Sequence, residues 1–211
     1  MSAIEPLRRS LMYISGAYPD MLKAFPKFPA DMFCFDLEDG TPPPEKIPAR
    51  ERIAQVLRDL DPIGRERLLR VNGLDTPWGH EDLRFAASLP VEGVLLPKVE
   101  GAAGVRQALA VLDAAGAPQS LAIWCLIETP MGVLRAEEIA TSSPRIAGFV
   151  IGGMDLIETT RTRLSPQRLG QMSFLSHCVL VARAYGLSVI DAIHPNYKNT
   201  DGFEESCRIG I

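Results

Sequence analysis

The stretch "DMFCFDLEDGTPPPEK", Asp31 to Lys46, runs a short apolar segment straight into three carboxylates, then a glycine and three prolines. The apolar part is of strand length and shows no polar alternation, the pattern of a strand buried on both faces of a parallel sheet. Its end is the puzzle. Asp36, Glu38 and Asp39 crowd like charges together, which costs stability unless a cation, a hydrogen-bond network or water relieves them.

The rest of the chain repeats the pattern. "SLMYIS", "MFCFDL", "RLLRVN", "GVLLPKV", "LAIWCLIE", "IAGFVIGG" and "LSVIDAI" are all of strand length, and most show no alternation, as in strands buried on both faces. Helix-like segments separate them. "PEKIPARERIAQVLRDL" sets Ile47, Ile53, Val56, Leu57 and Leu60 at helical spacing, and "AAGVRQALAVLDAAG" stops at Gly116. "SPQRLGQMSFLSHCVLVARAYG" offers Ser165 as N-cap, Pro166 at the first helical position and a stop at Gly186. Strand and helix alternate about every thirty residues, an α/β arrangement. In five units the polar residues fall where the apolar run ends: "DLED", "RVN", "PKVE", "IET" and "GGMD". Convergence of strand ends on one mouth favours a barrel over an open doubly wound sheet. A barrel needs eight strands, whereas the chain reaches "EESCRIGI" after its seventh helical segment. The expectation is an α/β chain forming a (β/α)8 TIM barrel, lacking or truncated before its eighth strand, in a single catalytic domain over 1–211.

Composition narrows the function. The chain has 211 residues, 46% hydrophobic and 23% charged, with a formal net charge of −4. That is ordinary globular composition with no basic footprint, so nucleic acid is not an expected partner. "MSAIEPLRRSLMYIS" has neither the apolar run nor the cleavage site of a secretory signal. No segment reaches the ~18 apolar residues of a membrane span. Cys34, Cys125, Cys178 and Cys207 form no CxxC pair, which argues against a disulfide framework or structural zinc. The expected location is the cytoplasm.

The candidate chemistry lies at the strand ends. Glu128 closes the fifth run and Asp155 follows the sixth, so neighbouring barrel strands would turn both toward one mouth. Two carboxylates with open positions suit Mg²⁺, which keeps several waters and takes substrate oxygens. Each could equally cap the following helix, and Thr129-Pro130 reads as a helix start. Arg70 ends the third run, where a guanidinium needs an anion: a structural carboxylate, or a substrate carboxylate held by its fork. Asp36 and Glu38 could accept hydrogen bonds from metal-bound waters or from Arg70. Gly152 and Gly153 of "IGGMD" would admit a ligand close to the backbone. No GxGxxG follows the first run, Lys98 reads as a solvated loop residue, and "IHP" at 193–195 reads as loop. His80, His177 and His194 are scattered without a triad pattern.

Seven stretches taken together, "RRSLMYISG", "FDLEDG", "RVNG", "LLPKVEG", "IETPMGV", "IGGMDL" and "VIDAI", resemble the citrate lyase β-subunit and its relatives in the hydroxyheptanedioate aldolase/citrate lyase superfamily. The resemblance runs through nearly the whole chain in the family's order. It implies a (β/α)8 barrel assembled as trimers or dimers of trimers. It also implies Mg²⁺ held by Glu128 and Asp155, Arg70 on the substrate carboxylate or keto oxygen, and Asp36 and Glu38 just outside the metal. The implied reaction joins or cleaves a carbon–carbon bond between a 2-oxo acid and an acyl thioester of coenzyme A or an acyl carrier protein. Citryl, malyl and citramalyl thioesters are the candidates, with Arg70, Glu128 and Gly153 on the substrate. Aldol chemistry on free hydroxy-oxo acids, or a non-catalytic relative with an incomplete barrel, are the alternatives. The chain departs from the family in three ways: the first strand ends in "ISG" in place of a sequence close to "VPG", "IETTRTRLSP" follows "GGMDL" in place of a small acidic run, and the eighth strand with its "GK…IHP" segment and the C-terminal lid has no counterpart.

Overall fold

The computed structural model describes residues 7–59, 64–196 and 198–210. It is an α/β fold whose seven strands match the seven apolar runs. They are β1 (Leu11–Ser15), β2 (Met32–Asp36), β3 (Glu66–Arg70), β4 (Gly93–Leu96), β5 (Ala122–Ile127), β6 (Ile146–Ile151) and β7 (Ser188–Ile190). The sheet order is β1-β2-β3-β4-β5-β6-β7, with none of the reversal that marks a doubly wound sheet. Between the strands lie α1 (Pro19–Ala24), α2 (Lys46–Asp59), α3 (Gly79–Ala86), α4 (Ala102–Ala114), α5 (Pro130–Leu134), α6 (Ala136–Ala140), α7 (Gly153–Thr160) and α8 (Met172–Ala184). α9 (Thr200–Ile209) follows β7. Among the described residues, no helix is long and apolar enough to cross a membrane.

The chain divides into two compact units. One comprises the described residues of Met1–Pro97 and Arg106–Trp124, the other Lys98–Val105 and Cys125–Ile211. In the first, β1 to β4 pair in parallel, and the register aligns Ser15 with Asp36 and Asp36 with Arg70. All five residues of β2 are buried, which explains the missing alternation. Phe33 and Phe35, two apart and so on one face, both meet the edge of Phe25, with ring centroids 4.9 and 5.0 Å away. α2 buries Ala49, Ile53 and Leu57 at intervals of one turn. Ile47, assigned to that stripe from the sequence, points outward at 60% exposure. Leu60 of the same stripe lies outside the described residues.

In the second unit β6 and β7 pair in parallel, Gly148 with Ser188 and Val150 with Ile190. α8 buries Phe174, Leu175, Cys178, Val181 and Ala182. Its start corrects the sequence reading, for it begins at Met172 and not after Ser165. Arg168 stands at φ 55°, a left-handed backbone that no helix can continue through. Its amide closes a turn on Ser165 O at 2.9 Å, and its guanidinium forms an ion pair with Asp191. The helix stops were read correctly, since Gly116 and Gly186 take φ 78° and 69°. The Thr129-Pro130 start also holds: Thr129 accepts from Gly132 N at 3.0 Å.

Candidate functional site

In the first unit, the parallel register brings the last residue of β2 beside the last residue of β3. Asp36 and Arg70 meet there as a two-pronged pair: Arg70 Nε donates to Oδ1 at 2.7 Å and Nη2 to Oδ2 at 2.5 Å. Arg70 Nη1 lies 3.0 Å from Glu38 Oε2. Two backbone amides complete the Asp36 carboxylate, Glu38 N on Oδ1 at 2.8 Å and Gly40 N on Oδ2 at 2.9 Å. Gly40 is required, because a Cβ there would stand 2.3 Å from Asp36 Oδ2. With four donors on its two oxygens, Asp36 is fully engaged in holding Arg70 and the loop. The guanidinium carries five N–H groups, of which these contacts use three. Burial works to lower the Arg70 pKa, but the hydrogen bonds and charge of Asp36 outweigh it and the net shift is upward. Its guanidinium also covers the Tyr13 ring at 4.9 Å.

A second cation serves the same loop, and it is the last residue of the quoted stretch. Lys46, 6% exposed, donates to Leu37 O at 2.8 Å, Glu38 O at 2.8 Å and Asn72 Oδ1 at 2.7 Å. Asn72 in turn donates through Nδ2 to Leu37 O at 2.8 Å and Asp82 Oδ2 at 2.6 Å, and Asp82 pairs with Arg50 Nε at 2.6 Å. The crowded carboxylates are thus relieved by two cations, Arg70 and Lys46. Sequence reasoning found the first and passed over the second, along with Asn72 and Asp82. "RVN" carried the signal for Asn72. A lysine in the first turn of a helix after a proline loop carried none.

In the second unit, Glu128 directly follows β5 and is 2% exposed. Its Oε1 accepts from the Lys98 amide at 2.8 Å, and Lys98 adopts φ 49°. Gly152 packs flush against it: a Cβ at 152 would stand 2.2 Å from Glu128 Cβ and 2.9 Å from Oε2. The amide of Gly152 donates to Ile127 O at 3.0 Å. Three residues on, Asp155 occupies the first turn of α7 and is half-buried. The missing side chain of Gly153 is filled by Ala192, whose Cβ would stand 2.5 Å from a Cβ at 153. Both glycines therefore serve close packing within the chain.

Among the described residues, no three His, Cys, Asp or Glu side chains gather into a ready-made metal cage. Glu128 and Asp155 each carry hard oxygens of the kind taken by a cation that retains water and substrate ligands. The close contact of Gly152 fixes Glu128 at the strand end, and the hard-oxygen chemistry of the two carboxylates fits that use. Lys98 is exposed, as a loop lysine should be. His194 Nδ1 lies 3.1 Å from Ser206 Oγ, but its Nε2 is buried without a hydrogen-bond partner, so no acid orients it as in a hydrolytic triad.

Comparison with known proteins adds to this geometry. The family described as HpcH/HpaI aldolase/citrate lyase matches residues 9–210. A (3S)-malyl-CoA thioesterase from Cereibacter sphaeroides is 37% identical over 202 residues, covering 96% of this chain and 68% of its own length. A citrate lyase subunit beta from Escherichia coli is 34% identical over 205 residues, covering 93% of this chain and 67% of its own. The crystal structure of the protein CitE from Mycobacterium tuberculosis with magnesium, acetoacetate and coenzyme A superposes with a TM-score of 0.75 at 27% identity, covering 95% of this chain and 72% of that one.

Proposed function

Because the chain belongs to the HpcH/HpaI aldolase/citrate lyase family, a family of enzymes, we propose that it is a Mg²⁺-dependent carbon–carbon lyase acting on a 3-hydroxyacyl thioester of the citryl-, malyl- or citramalyl-CoA type. The buried Glu128 carries the reading. It is a carboxylate at a strand end, fixed by the Lys98 amide and by the close packing of Gly152, with Asp155 three residues beyond that glycine. In this reading Glu128 and Asp155 hold Mg²⁺. When bound, the ion supplies Lewis-acid polarisation of the oxo-acid oxygen, worth several kcal/mol.

The reaction takes the proton from the 3-hydroxyl and breaks the bond between C2 and C3. The hydroxyl carbon becomes the carbonyl of a 2-oxo acid, and the electron pair passes to the α-carbon of the acyl thioester, which is then protonated. Arg70 receives the oxo-acid carboxylate through the N–H groups that Asp36 and Glu38 leave open. Asp36 and Glu38 hold it in place, and its preorganised charge needs no rearrangement as negative charge develops. The magnesium and coenzyme A of the CitE complex from M. tuberculosis support the metal and the thioester carrier. We extend the proposal to a (β/α)8 barrel, a homo-oligomer of the family's trimeric kind, and a cytoplasmic location.

The (3S)-malyl-CoA thioesterase relative favours a second reading, hydrolysis of the thioester to a free hydroxy acid and coenzyme A. One experiment separates the two. Citryl-, malyl- and citramalyl-CoA are incubated with the protein and Mg²⁺, with and without EDTA, and the products are read by mass spectrometry. Oxo acid plus a shorter acyl-CoA, lost with EDTA and in Glu128→Ala, establishes the lyase. Hydroxy acid plus free coenzyme A establishes the thioesterase. Turnover by Glu128→Ala that ignores EDTA refutes the assigned site.

A further inference from the structure

Arg168 lies in the second unit, in the loop between α7 and α8, and it combines two unusual features. Its backbone stands at φ 55°, in the left-handed region that a residue with a β-carbon enters only at a cost. Its side chain is buried, 8% exposed, and all three guanidinium nitrogens are engaged. Nη1 and Nη2 pair with the two oxygens of Asp191, the second at 2.6 Å, and Nε donates to Gln171 Oε1 at 3.1 Å. The pair spans 23 residues and ends at the position that directly follows β7. Residues held in strained backbone by their surroundings cluster at functional sites, which directs attention to what the pair holds.

The contacts lead on to α7. Asp191 Oδ1 also accepts from the Ala192 amide at 2.7 Å, so the carboxylate gripped by Arg168 sets the chain direction where β7 ends. The Ala192 methyl then closes on Gly153, the first residue of α7, where an added Cβ would stand 2.5 Å from it. That end of α7 has little of its own to fix it. The N-cap position is Gly152, which has no side chain to cap with, and the first turn closes through Leu156 N on Gly152 O at 3.1 Å. Packing from neighbouring segments therefore sets where the first turn lies, and Asp155 belongs to that turn, two residues after Gly153. The Asp191 carboxylate has one further neighbour, the end of α9: a Cβ at Gly210 would stand 3.2 Å from Oδ2.

We propose that Arg168 is a positioning residue for Asp155. By holding the Asp191 carboxylate it seats Ala192 against Gly153, and the first turn of α7 keeps Asp155 in position to ligate Mg²⁺. This rests on the metal reading of Asp155. Arg168 has no direct part in binding the ion; it acts through Asp191, Ala192 and Gly153.

The test titrates Mg²⁺ by calorimetry into wild type, Arg168→Met, Ala192→Gly and the double variant, each first shown to be folded by circular dichroism. Each single variant weakens Mg²⁺ binding about tenfold, the low end for groups that hold a metal ligand without touching the metal. The double variant loses little more than either single one, because both changes break the same chain of contacts. A role in stability alone lowers the Tm of Arg168→Met but leaves the Mg²⁺ affinity of the folded protein unchanged, and that result overturns the proposal. Losses that multiply in the double variant also overturn it, since Arg168 then acts by a route other than Ala192. Hydrogen exchange without Mg²⁺ supplies a ligand-free readout: the Leu156 amide exchanges faster in both single variants. Faster exchange confined to the amides of α9 overturns the proposal. Should Arg168→Met not fold, Arg168→Lys, which keeps the charge and loses the two-pronged grip, is judged in its place by the same criteria. A wild type that does not bind Mg²⁺ removes the metal reading of Asp155. Leu156 exchange then decides Arg168 alone: acceleration upholds its hold on the first turn of α7, and no change ends it.

Discussion

Replacing Asp36 with Asn tests the construction of the Arg70 site, and the chain contains its own control. Four donors converge on the two Asp36 oxygens, one backbone amide and one guanidinium N–H on each. Whichever oxygen becomes NH₂ in Asp36→Asn, one amide and one guanidinium N–H face a donor. Breaking a buried pair in this way costs about 3–5 kcal/mol. Arg70 keeps Glu38 at 3.0 Å, which places the cost near the lower end, about 3 kcal/mol. In a chain of this size that corresponds to a fall of roughly 6–12 °C in Tm. Asp31 makes the same two-pronged contact with Arg9, both bonds at 2.8 Å, but Arg9 is 71% exposed. Asp31→Asn should therefore cost about 1 kcal/mol or less. Urea unfolding of both variants, followed by circular dichroism, measures the two costs in one host. Equal costs would show that burial does not set the strength of the Asp36–Arg70 pair, and the argument built on that burial would fail.

Three further outcomes are expected. Gly152→Ala forces a Cβ within 2.2 Å of Glu128 Cβ, so it should cost about 1–3 kcal/mol and weaken Mg²⁺ binding; wild-type values for both would show the contact to be slack. Native protein at pH 8 should expose one thiol to a disulfide reagent, Cys207, with the other three reacting only after unfolding, because Cys34, Cys125 and Cys178 are buried. Burial pushes Cys125 and Cys178 up to about 12, so rapid titration of a second thiol contradicts their placement. The hydrogen bonds and charge of Arg9 hold Asp31 down at about 2, so its contribution is present above the ordinary carboxylate pKa and fades as pH falls from about 4 toward 2. The stability gap between wild type and Asp31→Asn should close over that interval; a gap that widens there reverses the sign of the argument.

Most strands were legible because burial on both faces leaves an unbroken apolar run; β2 is the clearest example, whereas β1 and β7 are only half-buried. The Asp36–Arg70 pair was half legible. "DLEDG" demanded a cation and "RVN" demanded an anion, but only the register of β2 against β3 joins them. Lys46 stayed hidden because local sequence does not report burial: next to Glu45 and three prolines it reads as a solvated helix end. The α8 boundary failed for a related reason. Ser165-Pro166 has the chemistry of a helix start, yet the ion pair of Arg168 with Asp191, 23 residues away, accompanies a left-handed turn that delays it. Gly152 was read as room for a ligand, and its immediate neighbour proved to be Glu128.

The polar cluster of the first unit also bears on how the chain folds. Its members, from Asp36 to Asp82, lie within one continuous stretch, and its defining pair is separated by 34 positions. Loop closure over that distance is a modest entropic demand. During synthesis the cluster can close before Glu128 has left the ribosome, since every partner it requires has already emerged. Pulse-labelled hydrogen exchange on stalled nascent chains should then find the Asn72 amide, which donates to Asp82 Oδ2 at 2.9 Å, protected early. The arginine cluster would be assembled first, as a local event, and the proposed metal ligands would arrive afterwards.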